Sequence, residues 1–352
     1  DKVKKEHIVR ANILSAGLYG AEACHANEAA LNNLRSAVAD TIGTSSDRRS
    51  VDLTFSFNKT SKDLDPEVHL LYNRIALLRR TASKDKTKIR NFKNIFEGYL
   101  KGFKPSKDKG IISSPFSLWK TEEFYQGAEE EGETPEPMGP IGFLIKQVEE
   151  LGLGINNDFI ITDDKGIVID VFNTPWNHLK KMVFDTAIRA RDARISKQRT
   201  FAGNIEEIDH DIIKKITPLM GDKEKHIYMH IATGGFWGED HKKDVFDGEG
   251  KCPHCGLDNV GTQHILWQCP VINNYRVNEN LKNIKVEDLP KCVLNGIPKG
   301  MGTNLTKDFW GRDSSIASTA NGQEISNPKH KTWRTNINQS MQGLLNQHIS
   351  NK

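Results

Sequence analysis

A mainly α-helical fold is what this sequence predicts: a helical N-terminal domain, an acidic linker, then an α-rich domain with a small β-hairpin and a cysteine-histidine knuckle. Three observations predict it. Most of the chain repeats its apolar residues at intervals of three and four, the spacing of one helix face. Only one pair of short β-rich runs interrupts that repeat, with a four-residue turn between them. Three of the five cysteines lie between Cys252 and Cys269, with His264 among them, and mark a small module of their own.

The 352 residues suffice for two or three domains, and 37% hydrophobic with 27% charged residues describes a polar globular chain. No apolar run reaches the roughly 18 residues of a membrane-spanning helix, and no secretory h-region is present, so no membrane partner is expected. Sparse cysteines grouped as ligands point to a reducing compartment, nucleus or cytoplasm. The net charge of +3 is too small to imply nucleic acid, so the distribution of charge matters more. The opening on Asp1, inside a helical pattern, is read as the start of a segment of something longer.

Residues 1–126 form the helical N-terminal domain. In 4–20, Ile8, Ala11, Ile13, Leu14, Leu18 and Tyr19 are expected on one face, and in 26–42 Ala30, Leu31, Leu34, Ala37, Val38 and Ile42. Gly17 to Gly20 and Asn27 punctuate the turn between the two helices, and Gly43 ends the second. Val51–Phe57 is a short apolar stretch, and Asp65-Pro66 starts another helix with Val68, Leu71, Ile75 and Leu78 inward. Residues 79–109 hold eleven Lys or Arg against Asp85, Glu97 and Asp108. Phe92, Phe96, Tyr99 and Phe103 recur there at helical spacing and read as core, leaving a basic face with Arg79, Arg80, Lys88, Arg90 and Lys93 as phosphate-contact candidates.

Residues 127–140 are an acidic Gly/Pro segment with five glutamates and no periodicity, read as a linker. Residues 141–239 then mix the two structure types. A short helix over Phe143 to Leu151 ends at Gly152; Asp158–Thr162 and Ile167–Phe172 are the strands of the hairpin; Pro175 and Trp176 open a long helix to about Arg199. Leu179, Val183, Ala187 and Ile188 share its apolar face. Its other positions carry Lys180, Lys181, Arg189, Arg191, Arg194, Lys197 and Arg199 against Asp185 and Asp192, a second basic surface for nucleic acid. Further helical stretches, Asp211–Met220 and Glu224–Thr233, lead to the loop Gly234 to Gly238. Residues 301–352 are a polar tail with one helix expected over Thr332–Ile349.

The knuckle occupies 240–300. Its spacing is Cys-x2-Cys-x8-His-x4-Cys, from Cys252 and Cys255 to His264 and Cys269. A Cys-x2-Cys turn aims two sulfurs at one point, and Gly256 suits such a turn. A histidine and a cysteine five apart lie about one helical turn from each other. Three sulfurs and one imidazole nitrogen close a tetrahedral set, the pattern of structural Zn2+, with no position left for substrate. His254, inside the first pair, is expected to point away.

One other group of residues bears on catalysis. Asp163-Asp164 could hold magnesium between two strands, but Asp-Asp-Lys-Gly is also what a hairpin turn uses, and the turn accounts for every residue. No catalytic residue is assigned.

Taken as strings, L-S-A-G-L-Y-G-A-E-A at 14–23 and C-P-H-C-G at 252–256 with T-Q-H-I-L-W-Q-C-P at 262–270 resemble the C-terminal region of a non-LTR retrotransposon reverse transcriptase. The first is similar to its helical thumb, the second to the zinc-binding domain beyond the polymerase. G-P-I-G-F-L-I-K-Q-V-E-E-L-G at 139–152 resembles the linker of divergent protist copies. The likeness spans residues 1 to about 300. It implies a thumb-like first domain, zinc on Cys252, Cys255, His264 and Cys269, and a non-catalytic segment that holds template RNA or target DNA beside an upstream polymerase domain of the same polyprotein. The family's aromatic-x-Asp-Asp motif is not matched, since Ile161 stands where the aromatic belongs. A zinc-stapled structural or protein-interaction module from a degenerate or domesticated element is the alternative.

Overall fold

A computed structural model of the chain describes residues 2–24, 26–44, 46, 48–58, 63–102, 139–163, 165–199, 208–236, 238–246, 248–258, 260–274, 287 and 290–299. Most of the linker at 127–140, Phe103, Asp164 and the tail at 301–352 lie outside them, as do the side chains of Tyr99 and Lys197. The fold is mainly helical, with a single three-stranded antiparallel sheet among the described residues. None of the described helices is long and apolar enough to cross a membrane. The chain divides into two units, Asp1–Val38 with Thr60–Arg191, and Ala39–Lys59 with Asp192–Lys352.

The first unit opens with helical turns Lys2–Ile8, Val9–Ile13 and Leu14–Gly17, the middle one a π turn. That turn alters the expected apolar face. Val9, Leu14 and Leu18 are buried, whereas Ile8 is half exposed and Tyr19 is 91% exposed. The residue added by a π turn rotates everything before it relative to everything after, so a face drawn at a constant α-helical period drifts to solvent. The Pro66–Lys84 helix follows its signals closely. Asp65 caps it by accepting from the Glu67 N–H, proline sits in the first turn, and Val68, Leu71, Ile75 and Leu78 all enter the core.

Into the same core come Phe96 of the Thr87–Gly102 helix, Ile141, Leu144, Ile145 and Val148 of the Gly139–Glu150 helix, and Leu179, Val183 and Ala187 of the Trp176–Gln198 helix. Phe96 meets Phe159 edge to face with ring centroids 5.5 Å apart, so this part of the aromatic stripe packs inside. The sheet closes the core. Strands β1 (Gly154–Ile155), β2 (Ile160–Thr162) and β3 (Val168–Asp170) run in sequence order, with Ile161 opposite Ile169. The hairpin between β2 and β3 is the expected one; β1 is an addition too short for periodicity to reveal. Asp163 serves the turn: its Oδ1 accepts from the Lys165 and Ile167 N–H groups, its Oδ2 from Arg189, and Gly166 takes φ +76°.

In the second unit, the apolar stretch Val51–Phe57 is a helix capped by Ser50, whose hydroxyl accepts from the Leu53 N–H. Leu53 and Phe57 pack with Ile212 and Ile213 of the His210–Ile216 helix and Tyr228, Met229 and Ile231 of the Asp222–Ala232 helix. Cys292, Val293, Leu294 and Ile297 complete this core, together with Leu266 and Trp267. The indole N–H of Trp267 donates to the Leu294 carbonyl at 2.8 Å and so ties the knuckle to the core. A smaller cluster of Cys252, Val260, Ile265, Cys269 and Ile272 lies within the knuckle itself.

Candidate metal centre

Two backbone turns bring the four ligands together. In the first, Lys251 and Asp258 form an isolated antiparallel bridge, and between them the Cys252 N–H donates to the Leu257 carbonyl at 2.8 Å. The Gly256 N–H returns to the Cys252 carbonyl at 2.9 Å, with Gly256 at φ +75° where a side chain would be strained. Backbone N–H groups of Cys255 and His254 point at the Cys252 sulfur, and that of Leu257 at the Cys255 sulfur. Sulfur is a weak acceptor as a thiol and a strong one as a thiolate, so these donors favour the charged ligand form.

The second turn is π-helical, His264–Gln268, and the Cys269 N–H closes it on the His264 carbonyl at 2.7 Å. This corrects the expectation that five residues of ordinary helix would align the two ligands. At about 100° per residue, an α-helix would set them about 140° apart. The wider π turn, bonded from residue i to i+5, returns Cys269 to the side of His264. Here a π turn accommodates the x4 spacing.

The result is compact. One donor atom from each of Cys252, Cys255, His264 and Cys269 lies within 4.8 Å of all the others, and the group can hold a metal ion. The Cys252 and Cys269 sulfurs are 3.9 Å apart, and the Cys255 sulfur is 3.3 Å from His264 Nε2. A tetrahedron with metal–sulfur bonds of about 2.3 Å needs sulfur–sulfur edges of about 3.8 Å, which these separations match. Cys252, His264 and Cys269 are buried and Cys255 is partly open. Val260, Ile265 and Ile272 wrap the sulfurs, with Phe236 and Val271 at the margin. His254 is not part of the group. Cys24 is exposed elsewhere and Cys292 is buried in the larger core.

Burial pushes the Cys252 thiol up to about 11, while the Leu257 N–H lowers Cys255. Burial also lowers His264, which favours the neutral imidazole that coordinates metal. Three sulfurs this close would repel as thiolates without a cation between them, so the donor set suits a dication.

The basic residues differ in their surroundings. Arg80, Arg90 and Lys181 are exposed. Lys88 is half-buried, and Lys93 reaches Asp158. Lys180 is exposed but holds its ammonium 5.1 Å from the Tyr72 ring centre. Arg79 donates to the Val171 and Thr174 carbonyls with its guanidinium over Trp176. The long helix departs furthest from expectation. Arg191 is fully buried against Asp63 and Asp65, Arg189 pairs with Asp163, and Arg194 pairs with Asp52. Arg199 donates to the Arg49 carbonyl. Among the described residues of the Trp176–Gln198 helix, Arg189, Arg191 and Arg194 are thus answered by aspartates rather than left on a solvated basic face. Nothing in the sequence marks Asp52, Asp63 and Asp65 as partners of these arginines, since their own spacing signals only caps and turns.

No protein-family model matches this chain, and neither does any curated protein or any solved structure.

Proposed function

We propose that Cys252, Cys255, His264 and Cys269 bind a structural zinc ion in a non-catalytic, nucleic-acid-binding segment of a non-LTR retrotransposon reverse transcriptase. In this reading the segment helps hold template RNA or target DNA beside a polymerase domain upstream in the same polyprotein. The observation that carries it is the ligand group itself, built on a glycine-closed knuckle and a π turn. Four protein donors satisfy zinc without an open position, so the ion's contribution is to folding. In zinc-finger peptides that contribution is on the order of 10–16 kcal/mol near neutral pH. The nucleic-acid half rests on the strings at 14–23 and 252–270 and on the exposed Arg80, Arg90 and Lys181.

The alternative, a zinc-stapled protein-interaction module, draws on the internal pairing of Arg189, Arg191 and Arg194, which removes them from any phosphate. Two measurements on the full chain separate the readings. Elemental analysis should return one zinc per chain, lost in Cys255→Ser; a zinc-free chain or a zinc-replete Cys255→Ser variant sinks the metal assignment. RNA and DNA binding should weaken steeply with salt. A triple R80E/R90E/K181E variant should lose binding and keep its zinc, whereas unchanged affinity favours the interaction module.

A further inference from the structure

A cavity of about 450 Å³ opens beside the metal ligands, entirely within the second unit. Its size falls within the roughly 300–1,000 Å³ of small-molecule sites. Ile231, Phe236 and Val260 give it an apolar side, and Leu257, 57% exposed, adds a further apolar surface. Gln263 and Gln268 line it as well. They stand five apart across the same π turn that aligns His264 with Cys269. Neither carboxamide makes a hydrogen bond among the described residues. Arg48 and Asp258 line it too, and Gly234 and Gly261 bring their backbone there.

We infer that this cavity takes an unpaired nucleobase from a single-stranded nucleic acid; the inference rests on the nucleic-acid reading above and gives it a binding pocket. Each carboxamide offers a donor pair and an acceptor, the complement of a base edge. The apolar side receives the face of a flat ring. A base must swing out of its stack to enter such a cavity, which single strands permit and duplexes resist.

The π turn gives the arrangement its economy. One local distortion brings His264 and Cys269 together as ligands and sets Gln263 and Gln268, with His264, along the cavity wall.

The test uses the full chain with its metal content measured, and fluorescent oligonucleotides in three forms: single-stranded, duplex of the same sequence, and single-stranded with abasic sites throughout. The single strand should bind tighter than the duplex or the abasic strand. The Q263A/Q268A variant should lose about tenfold in single-strand affinity, the scale of a lost base-edge contact, with metal content and duplex affinity unchanged. Equal binding of base-bearing and abasic strands overturns the pocket, as does a Q263A/Q268A variant with unaltered single-strand affinity. Both of those outcomes leave the nucleic-acid reading standing. A wild-type chain that binds none of the three overturns both together.

Discussion

Arg191 shows how a charged residue in a basic run becomes structural. Its guanidinium has no exposed surface and reaches Asp63 at 3.1 Å and Asp65 at 3.2 Å. Arg35 approaches Asp65 from the other side at 2.8 Å. Burial alone would raise the Asp65 carboxyl, but the charge and hydrogen bond of Arg35, then the charge of Arg191, outweigh it and hold the group well below the usual carboxylate range. A carboxyl depressed in the folded state stabilises the fold above its unfolded value of about 3.9, and that stabilisation is lost as pH falls toward the folded value. Arg191→Ala should therefore cost about 3–5 kcal/mol near neutral pH, because it removes the ion partner of buried Asp63 and leaves Asp65 with Arg35 alone. The loss should shrink as pH drops below about 4, where wild type too loses the stabilisation that Asp65 supplies. Urea unfolding of both proteins at neutral and acid pH checks this, and a loss under 1 kcal/mol at pH 7, or one that grows in acid, would contradict it.

At the scale of elements, the knuckle depends on two backbone features that differ in how far the sequence reveals them. Gly256 at φ +75° is readable, since a glycine directly after a Cys-x2-Cys pair announces a left-handed residue. Nothing surrounds its Cβ position within 4 Å, so a substitution there acts through backbone strain alone. Gly256→Val should cost about 1–2 kcal/mol of left-handed strain, which weakens metal affinity by roughly tenfold if the strain is released on metal loss. Gly20→Val, at φ +76° in the first unit and equally open, is the control and should leave metal affinity unchanged. Competition with a chromogenic chelator measures both, and equal affinities for wild type and Gly256→Val would remove the turn's role. The π turn, by contrast, was hidden. The ligand set was legible from spacing, but Gln263 and Gln268 on the cavity wall were not, since an α-helical period sends them to different faces. A π turn has no residue signature comparable to a glycine. It is held open here by what lies on its two sides, the ligand pair and the Trp267 bond to Leu294.

Across the whole molecule, helix content and the hairpin were legible because they are local, whereas the assembly of units was not. Composition changes most sharply at 127–140, yet Ala39–Lys59 belongs with Asp192–Lys352, more than a hundred residues away. The contacts responsible are non-local ones that no periodicity carries: the Ser50 N–H donates to the Thr233 carbonyl, and Ser56 to Asp192. Each unit has a core of its own residues, with Val68 to Ala187 in the first and Leu53 with Ile195 to Ile297 in the second. The metal group belongs to the second alone. Chelation at neutral pH should therefore unfold the molecule in part. Amide exchange should rise across 252–272, where Cys252, Val260, Ile265 and Ile272 cluster about the ligands, and rise less through the Asp222–Ala232 helix, which has its own apolar partners. Protection over 141–151 and 179–187 should not change, because that core contains no metal ligand. Hydrogen exchange followed by mass spectrometry, with and without chelator, resolves these segments directly. Uniform loss of protection across both units would mean that the metal supports a single cooperative fold, and unchanged exchange at 252–272 would mean that the knuckle stands without it.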